Sequence, residues 1–247
     1  MAIEAEDIDF VSTKLNEVEG WCLHDAALLT VALMESQTRL GFDSTILEIG
    51  VYKGKYLSVL YNRARRTSQR VLGIDTFQYS SHDDVNSTFT RLFGSIDYLS
   101  LVTCDSSRLV PARLMEMLGG RRASFISVDG DHAASGVRAD LILSSQVLGE
   151  GGIIAVDDLL NPRAIGVSEG FYRFFIERRE QSLRPFAYCA NKMFLAKAPH
   201  DETYKKAIEA LLGEMPNLPM VEEFNRQLQV GRHIVEQELL GSKVLIF

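Results

Sequence analysis

The chain has 247 residues, 46% of them hydrophobic and 24% charged, with a formal net charge of −7. This is close to average globular composition and long enough to bury a sizeable core. The acidic balance argues against a nucleic-acid partner, which needs clustered positive charge. The one basic cluster, Arg63, Arg65, Arg66 and Arg70, falls near the end of a predicted helix, where cations complement the dipole, and is expected to be a solvated helix end. Three cysteines, Cys22, Cys104 and Cys189, show no CxxC spacing and are expected to be reduced thiols in a cytoplasmic protein. The acidic start, "MAIEAEDIDF", has no signal-peptide character, and no apolar run is long enough to span a membrane.

In chain order, "DAALLTVALMESQ" (25–37) predicts a helix capped by Asp25. "TILEIG" (45–50) is a short apolar run that suits an interior strand. "KYLSVLYNRARR" (55–66) places Leu57, Leu60, Tyr61 and Ala64 on one helix face. "RVLGID" (70–75), "LSLVTCD" (99–105) and "SFISVD" (124–129) repeat the strand pattern. "VRADLILSSQVL" (137–148) aligns Val137, Leu141, Ser144 and Leu148 on one helix face. "GEGG" (149–152) then ends that helix and restarts a strand, "GIIAVDD" (152–158). "SEGFYRFFIERRE" (168–180) is helical in pattern. "FAYCA" (186–190) and "MFLAK" (193–197), separated by Asn191 and Lys192, read as a β-hairpin. The tail from 200 to 247 is mostly helical and closes with an apolar "KVLIF".

Strands alternating with helices at this spacing mean βαβ units in a doubly wound, Rossmann-like α/β fold, with a parallel sheet and a C-terminal antiparallel hairpin strand. There are no internal repeats or linkers. One domain is expected over 1–247, with its core at about 40–198, a helical segment at 1–39 and a helical extension at 199–247.

In such sheets, ligands bind outside the carboxyl ends of the strands. Gly50 and Gly54 bracket the first βα turn. The dinucleotide fingerprint needs a further glycine at position 52, where this chain has Tyr52, so a pyrophosphate is disfavoured. Glu48 would repel phosphates and could hold a cationic group. Asp75 ends the second strand, suitably placed for ribose hydroxyls. A ligand with a ribose, a positive group and no phosphate is S-adenosylmethionine. Taken singly, a glycine after a strand is usually only a turn, and a strand-end carboxylate is commonly a helix cap.

The succession "EIGVYKG", "GIDTF", "CDSS", "ISVDGDHAASGVRADL" and "LGEGGIIAVDDL" resembles the class I S-adenosylmethionine-dependent methyltransferases. The similarity is to the metal-dependent O-methyltransferases of the catechol O-methyltransferase and, more closely, the macrocin O-methyltransferase type. It spans roughly 19–197, and "EGWCLHDAALLTVAL" (19–33) resembles the helix that precedes the sheet in that group. The resemblance implies that Glu48, Gly50, Tyr52 and Gly54 surround the methionine end. It puts Asp75 on the ribose, Thr76 and Phe77 beside the adenine, and Asp105 and Ser106 at the adenine edge. Tyr56 stands where the family usually has a small hydroxyl residue near the methionine carboxylate.

"SVDGDH" places Asp129 and Asp131 at the end of the fourth strand, and "AVDD" places Asp157 and Asp158 at the end of the fifth. On neighbouring strands these carboxylates converge, which raises their pKa values and destabilises the fold unless a cation neutralises them. A hard cation such as Mg²⁺ does so with oxygen ligands. The resemblance implies Asp129, Asp157 and Asp158 as the ligands. An acceptor hydroxyl also needs a base, and Asp131 and His132 are both candidates.

The expected activity is Mg²⁺-assisted methyl transfer from S-adenosylmethionine to a hydroxyl of a small molecule, of sugar or polyketide natural-product type. No nucleic acid or membrane partner is expected, and a homo-oligomer is left open. The alternatives are a non-catalytic S-adenosylmethionine-binding or scaffold protein on the same fold and, less favoured because of Tyr52, an NAD-dependent dehydrogenase.

Overall fold

The computed structural model describes residues 3–177 and 182–247. A short helix α1 (Ala5–Asp9) and the long helix α2 (His24–Leu40) precede the sheet. Then β1 (Thr45–Ile49), α3 (Lys55–Ala64), β2 (Val71–Asp75), α4 (His82–Phe93), β3 (Leu99–Thr103), α5 (Pro111–Met117), β4 (Ala123–Val128), α6 (Ala134–Val147) and β5 (Leu148–Val156) alternate. After α7 (Ile165–Glu177) come the hairpin β6 (Leu183–Cys189) and β7 (Lys192–Lys197). Helices α8 (His200–Glu214), α9 (Pro219–Val230) and α10 (Arg232–Val235) lead to a last hairpin, β8 (Glu236–Leu239) and β9 (Ser242–Ile246). The final positions of the helix expected at 168–180, from 178 on, lie outside the described residues.

The sheet order is β3-β2-β1-β4-β5-β7-β6-β9-β8. Strands β1 to β5 are parallel, so their carboxyl ends share one edge, and the order reverses between β1 and β4. Strand β7 runs antiparallel to β5, with Val156 opposite Met193. Its first residue therefore sits at the edge where the parallel strands end. Every residue of β1 and β4 is buried, because helices cover both faces. One face packs on α2, α3, α4, α8 and α9, the other on α5, α6 and α7.

Side chains alternate between these faces with a period of two. Ile46, Phe125, Ile153 and Phe194 belong to the α2–α3 side, whereas Leu47, Ile126, Ile154 and Met193 belong to the other. Continuing the period puts Glu48, Asp129, Asp157 and Lys192 on the α2–α3 side, in a row across the adjacent strands β1, β4, β5 and β7.

The five parallel strands and the hairpin stand where the sequence put them. Other details differ. Asp25 lies inside the first turn of α2, and no side chain caps that helix at Leu23; a carboxylate there still favours the helix dipole. "GEGG" lies within β5 rather than before it, since β5 already begins at Leu148 and its register on β4 shifts between Ala123 and Phe125. The hairpin turn is Ala190-Asn191, with left-handed φ values of 50° and 69°, so Lys192 belongs to the strand. The tail is helical only up to Val235. Its apolar end forms β9, which pairs with the free edge of β6.

The arginine cluster is not a solvated helix end. Arg63 is buried with its guanidinium 2.5 Å from Glu35, and Arg65 reaches Glu6 at 2.9 Å. Arg66 pairs with Asp7, which is 1% exposed and also accepts from Asn62 Nδ2 at 2.8 Å. The Glu6 and Asp7 pairs tie α1 to the end of α3, and Glu35 ties α2 to it. Asp7→Ala strands the buried Asn62 amide and removes the Arg66 pair, and a charged hydrogen bond of this kind is worth about 1.5–3 kcal/mol. Urea denaturation should show a loss of about that size with an unchanged slope; a variant as stable as the parent would mean that α1 is not anchored this way.

Candidate active site

The turn after β1 is built by close approach. Gly50 has φ +88°, and a Cβ on it would lie 1.8 Å from the Asp129 carbonyl oxygen, so no other residue fits. The backbone N–H groups of Val51 and Tyr52 donate to Asp75 Oδ2 at 2.7 and 2.8 Å. That of Phe77 donates to Asp75 Oδ1 at 2.6 Å. Asp75 thus ties the glycine turn to the end of β2. A carboxylate has about four acceptor positions, so capacity remains for a ribose hydroxyl. Thr76 follows at the exposed end of β2, and Phe77 packs edge-on against the His82 ring at 4.4 Å. Tyr52 stacks on the exposed Trp21, ring centroids 5.9 Å apart. Gly54 opens α3, where a Cβ would meet Phe89 at 2.9 Å.

Asp105 accepts from the Ser107 amide at 3.0 Å and its hydroxyl at 2.6 Å. Those bonds hold its carboxyl below the usual range. It is the cap of the 3₁₀ turn that starts at Ser106, so the capping role is the one visible here.

Glu48 is 1% exposed, and its Oε2 has no hydrogen-bond partner among the described residues. Burial, then the neighbouring Asp129, push its carboxyl well above the ordinary range. Burial, with Asp157 beside it, likewise raises Asp129 to about 7. Asp157 is also buried, but Lys192 and a hydrogen bond with Asp129 hold it low, with Lys192 Nζ 3.1 Å from Asp157 Oδ2. His132 Nε2 lies 3.4 Å from Asp158 Oδ2 and 4.0 Å from Asp129 Oδ1. Hydrogen bonding to Asp129 raises the imidazole pKa. Asp158 has a left-handed φ of 55° and accepts from Asn161 Nδ2 at 2.6 Å, which aims the remaining oxygen at His132. Asp131 is engaged elsewhere. Its Oδ1 accepts from the Ala133 amide at 3.0 Å, and its carboxylate packs against Gly136 in the first turn of α6.

Asp129, His132 and Asp158 each offer one ligand atom, all within 4.8 Å of one another. They stand at a small pocket between the ends of β4 and β5 that Asp157, Val137 and Val167 also line. Two carboxylates plus an imidazole fit a divalent cation, and the raised pKa values of Glu48 and Asp129 mark negative charge that Lys192 alone does not balance.

Residues 47–159 match the family described as "Methyltransferase domain". The matched segment runs from β1 to just past β5 and contains both the glycine turn and the carboxylate edge. The chain is similar in fold to CalS11, a TDP-rhamnose 3′-O-methyltransferase in calicheamicin biosynthesis, with a TM-score of 0.54 and 19% identity over 81% of this chain and 88% of that one. MycE, a methyltransferase of the mycinamycin pathway seen in complex with Mg, SAH and mycinamycin VI, gives a TM-score of 0.54 and 16% identity over 79% of this chain. This chain spans 56% of the length of MycE. An O-methyltransferase from Bacillus cereus in complex with SAH gives 0.52 and 14% over 78% of this chain and 90% of that one. A comparison with curated protein sequences gave no match. Among the described residues no helix is long and apolar enough to cross a membrane.

Two residues of the methyltransferase site escaped the sequence reading. Lys192 was taken for a turn residue; a lysine that opens an apolar strand beside an Asp-Asp strand end was the available signal. Asp140, on α6, is 1% exposed, and neither of its oxygens has a hydrogen-bond partner of good geometry among the described residues. Burial pushes its carboxyl up to about 6, with the nearby Ser106 hydroxyl offsetting part of the effect. The folded state therefore holds a proton that the unfolded chain releases near pH 4, and wild-type stability falls as pH rises from about 4 to 6, then levels. Asp140→Asn removes that loss. Denaturation should find the variant about 1–3 kcal/mol more stable at pH 8 and equal at pH 4. An equal difference at both pH values would contradict a buried, proton-holding Asp140.

Proposed function

We propose that the protein is an O-methyltransferase that moves the methyl group of S-adenosylmethionine to a hydroxyl of a small molecule of sugar or polyketide type. The observation that carries this reading is the meeting of Asp129, Asp158 and His132 beside the glycine turn, since neither a scaffold nor a dehydrogenase needs carboxylates brought together there. The sugar methyltransferase CalS11 and the macrolide-bound MycE support the acceptor class.

On this reading Gly50, Tyr52 and Gly54 shape the methionine end, and Glu48 lies under it as the nearest buried carboxylate. Asp75 turns its spare acceptor position to the ribose, with Thr76 and Phe77 near the adenine and Asp105 and Ser106 at its edge. Asp129 and Asp158 are placed to hold Mg²⁺ or a similar cation, with Asp157 as the third expected ligand. When bound, such a cation lowers the pKa of an acceptor hydroxyl and offsets the carboxylate charge.

Both residues line the pocket, but Asp131 is engaged by the Ala133 amide while His132 stands beside Asp158 and Asp129, which favours His132 as the base. The acceptor hydroxyl gives its proton to Nε2 of His132. Its oxygen forms the new bond to the methyl carbon, the old carbon–sulfur bond breaks, and sulfur keeps the electron pair. Asp129 and Asp158 stabilise the imidazolium that results. Holding oxygen and methyl in line near contact supplies much of the acceleration.

Calorimetry should show S-adenosylhomocysteine binding and no heat with NAD. The reverse result would overturn the methyltransferase reading.

With an acceptor in hand, His132→Gln should lower kcat by about 10²–10⁴-fold, the usual worth of a positioned base. Asp131→Asn, which keeps the acceptor for the Ala133 amide, should lower it far less. An inactive Asp131→Asn beside a near-normal His132→Gln would exchange the two roles.

A further inference from the structure

The methyltransferase reading leaves one buried charge unused. Lys192 is 2% exposed, yet it sits among carboxylates at the reacting edge of the sheet. Topology puts it there, because β7 is the antiparallel strand and begins where the others end. The left-handed Ala190-Asn191 turn and the pairing of Lys192 with Cys189 fix its backbone. Its side chain is fixed as well. Nζ lies 3.9 Å from the centre of the Tyr56 ring. That ring is held in turn, as the Tyr56 hydroxyl meets Thr30 Oγ1 at 2.7 Å while Thr30 donates to the Ala26 carbonyl at 2.7 Å. Cation–π contact in a dry site is a strong restraint. Nζ has no solvent exposure and no well-aligned hydrogen bond among the described residues; its one close charged partner is Asp157 Oδ2 at 3.1 Å.

We propose that Lys192 is a positioning residue, a permanent counter-cation that neutralises Asp157 and withdraws it from the ligand set, so that a divalent cation is held by Asp129 and Asp158, with His132 left free as the base. The geometry enforces this. A cation bound to the free oxygen of Asp157 or bridging it to Asp129 would lie about 2.1 Å from a carboxylate oxygen, hence within roughly 5 to 7 Å of an ammonium that stands 3.1 Å from Oδ2. Two positive centres that close repel where burial limits screening. Asp158, by contrast, is turned to His132 Nε2 at 3.4 Å, and its ligand atom and that of Asp129 already lie within 4.8 Å of each other. The inference rests on the cation-assisted reading of the site, but its test needs no methyl acceptor.

The test is Mn²⁺ titration of the full chain, followed by electron paramagnetic resonance of the free ion, with S-adenosylhomocysteine binding measured on the same samples. Asp157→Asn removes no ligand but leaves the Lys192 charge unbalanced, so it should bind Mn²⁺ more weakly than the parent. Lys192→Met should bind about tenfold more tightly or better, since a repelling charge goes and Asp157 is released. Lys192→Arg should stay near the parent. Lys192→Met with Asp157→Asn, which removes both charges and leaves no orphan if the single variant does not fold, should also return to the parent value. Binding seen only in Lys192→Met would overturn the proposal, because the parent would then hold no cation. Loss of Mn²⁺ binding in the double variant as severe as in Asp129→Asn would make Asp157 a ligand and overturn it, as would Lys192→Met binding no more tightly than the parent. No Mn²⁺ binding by any variant would overturn it too, while intact S-adenosylhomocysteine binding in those samples would leave the methyltransferase reading standing.

Discussion

The structure depends on balancing negative charge that the sheet itself concentrates. Parallel strands end on one edge, and a period of two aims every second side chain at one face. Glu48, Asp129 and Asp157 meet there by geometry alone. Water would screen them on a surface; withdrawn from it, Glu48 and Asp129 are pushed up and the crowded charge opposes folding. Lys192 enters from the one neighbouring strand that runs the other way, and it is the only side chain in that row able to compensate. On the proposed reading, the residual charge toward Asp158 and His132 is what would attract a cation.

A second constraint is steric. The Asp129 carbonyl passes so close to Gly50 that a methyl group between them is impossible. The glycine turn and the carboxylate edge are therefore one unit, with Asp75 bracing it from the β2 side through three backbone amides. A cofactor on the turn would be next to the carboxylates without any further adjustment. That coupling is consistent with a fold shared with CalS11 and MycE at under 20% identity. The chemistry needs the edge and the turn, while most of the remaining surface is free to vary.

Much of this was legible in the sequence because it is local. Five short apolar runs ending in Asp or Gly announce parallel strands, four of them buried and the fifth, β3, the half-buried edge of the sheet, and Gly50 and Gly54 announce a turn that other residues cannot make. What escaped is non-local. Asp131 and His132 both line the pocket, and that the Asp131 carboxylate is engaged by the Ala133 amide is something the order of residues does not reveal. Lys192 read as a turn because Asn-Lys follows one apolar run and precedes another; only the left-handed pair Ala190-Asn191 moves the turn back by one. The arginines after α3 looked like a solvated helix end, since their partners Glu6 and Asp7 are about sixty positions away. The last hairpin was hidden because "KVLIF" needs the open edge of β6 to become a strand.

The central claim is that one edge holds a cofactor on the glycine turn and a cation on Asp129 and Asp158. A crystal structure with S-adenosylhomocysteine and Mn²⁺, with anomalous scattering to locate the metal, tests it most directly. The account predicts the sulfur of the cofactor over the Gly50–Gly54 turn and a manganese peak bonded to Asp129 and Asp158, with Lys192 still on Asp157. Cofactor density elsewhere, or a metal peak bonded to Asp157 with Lys192 displaced, would contradict it.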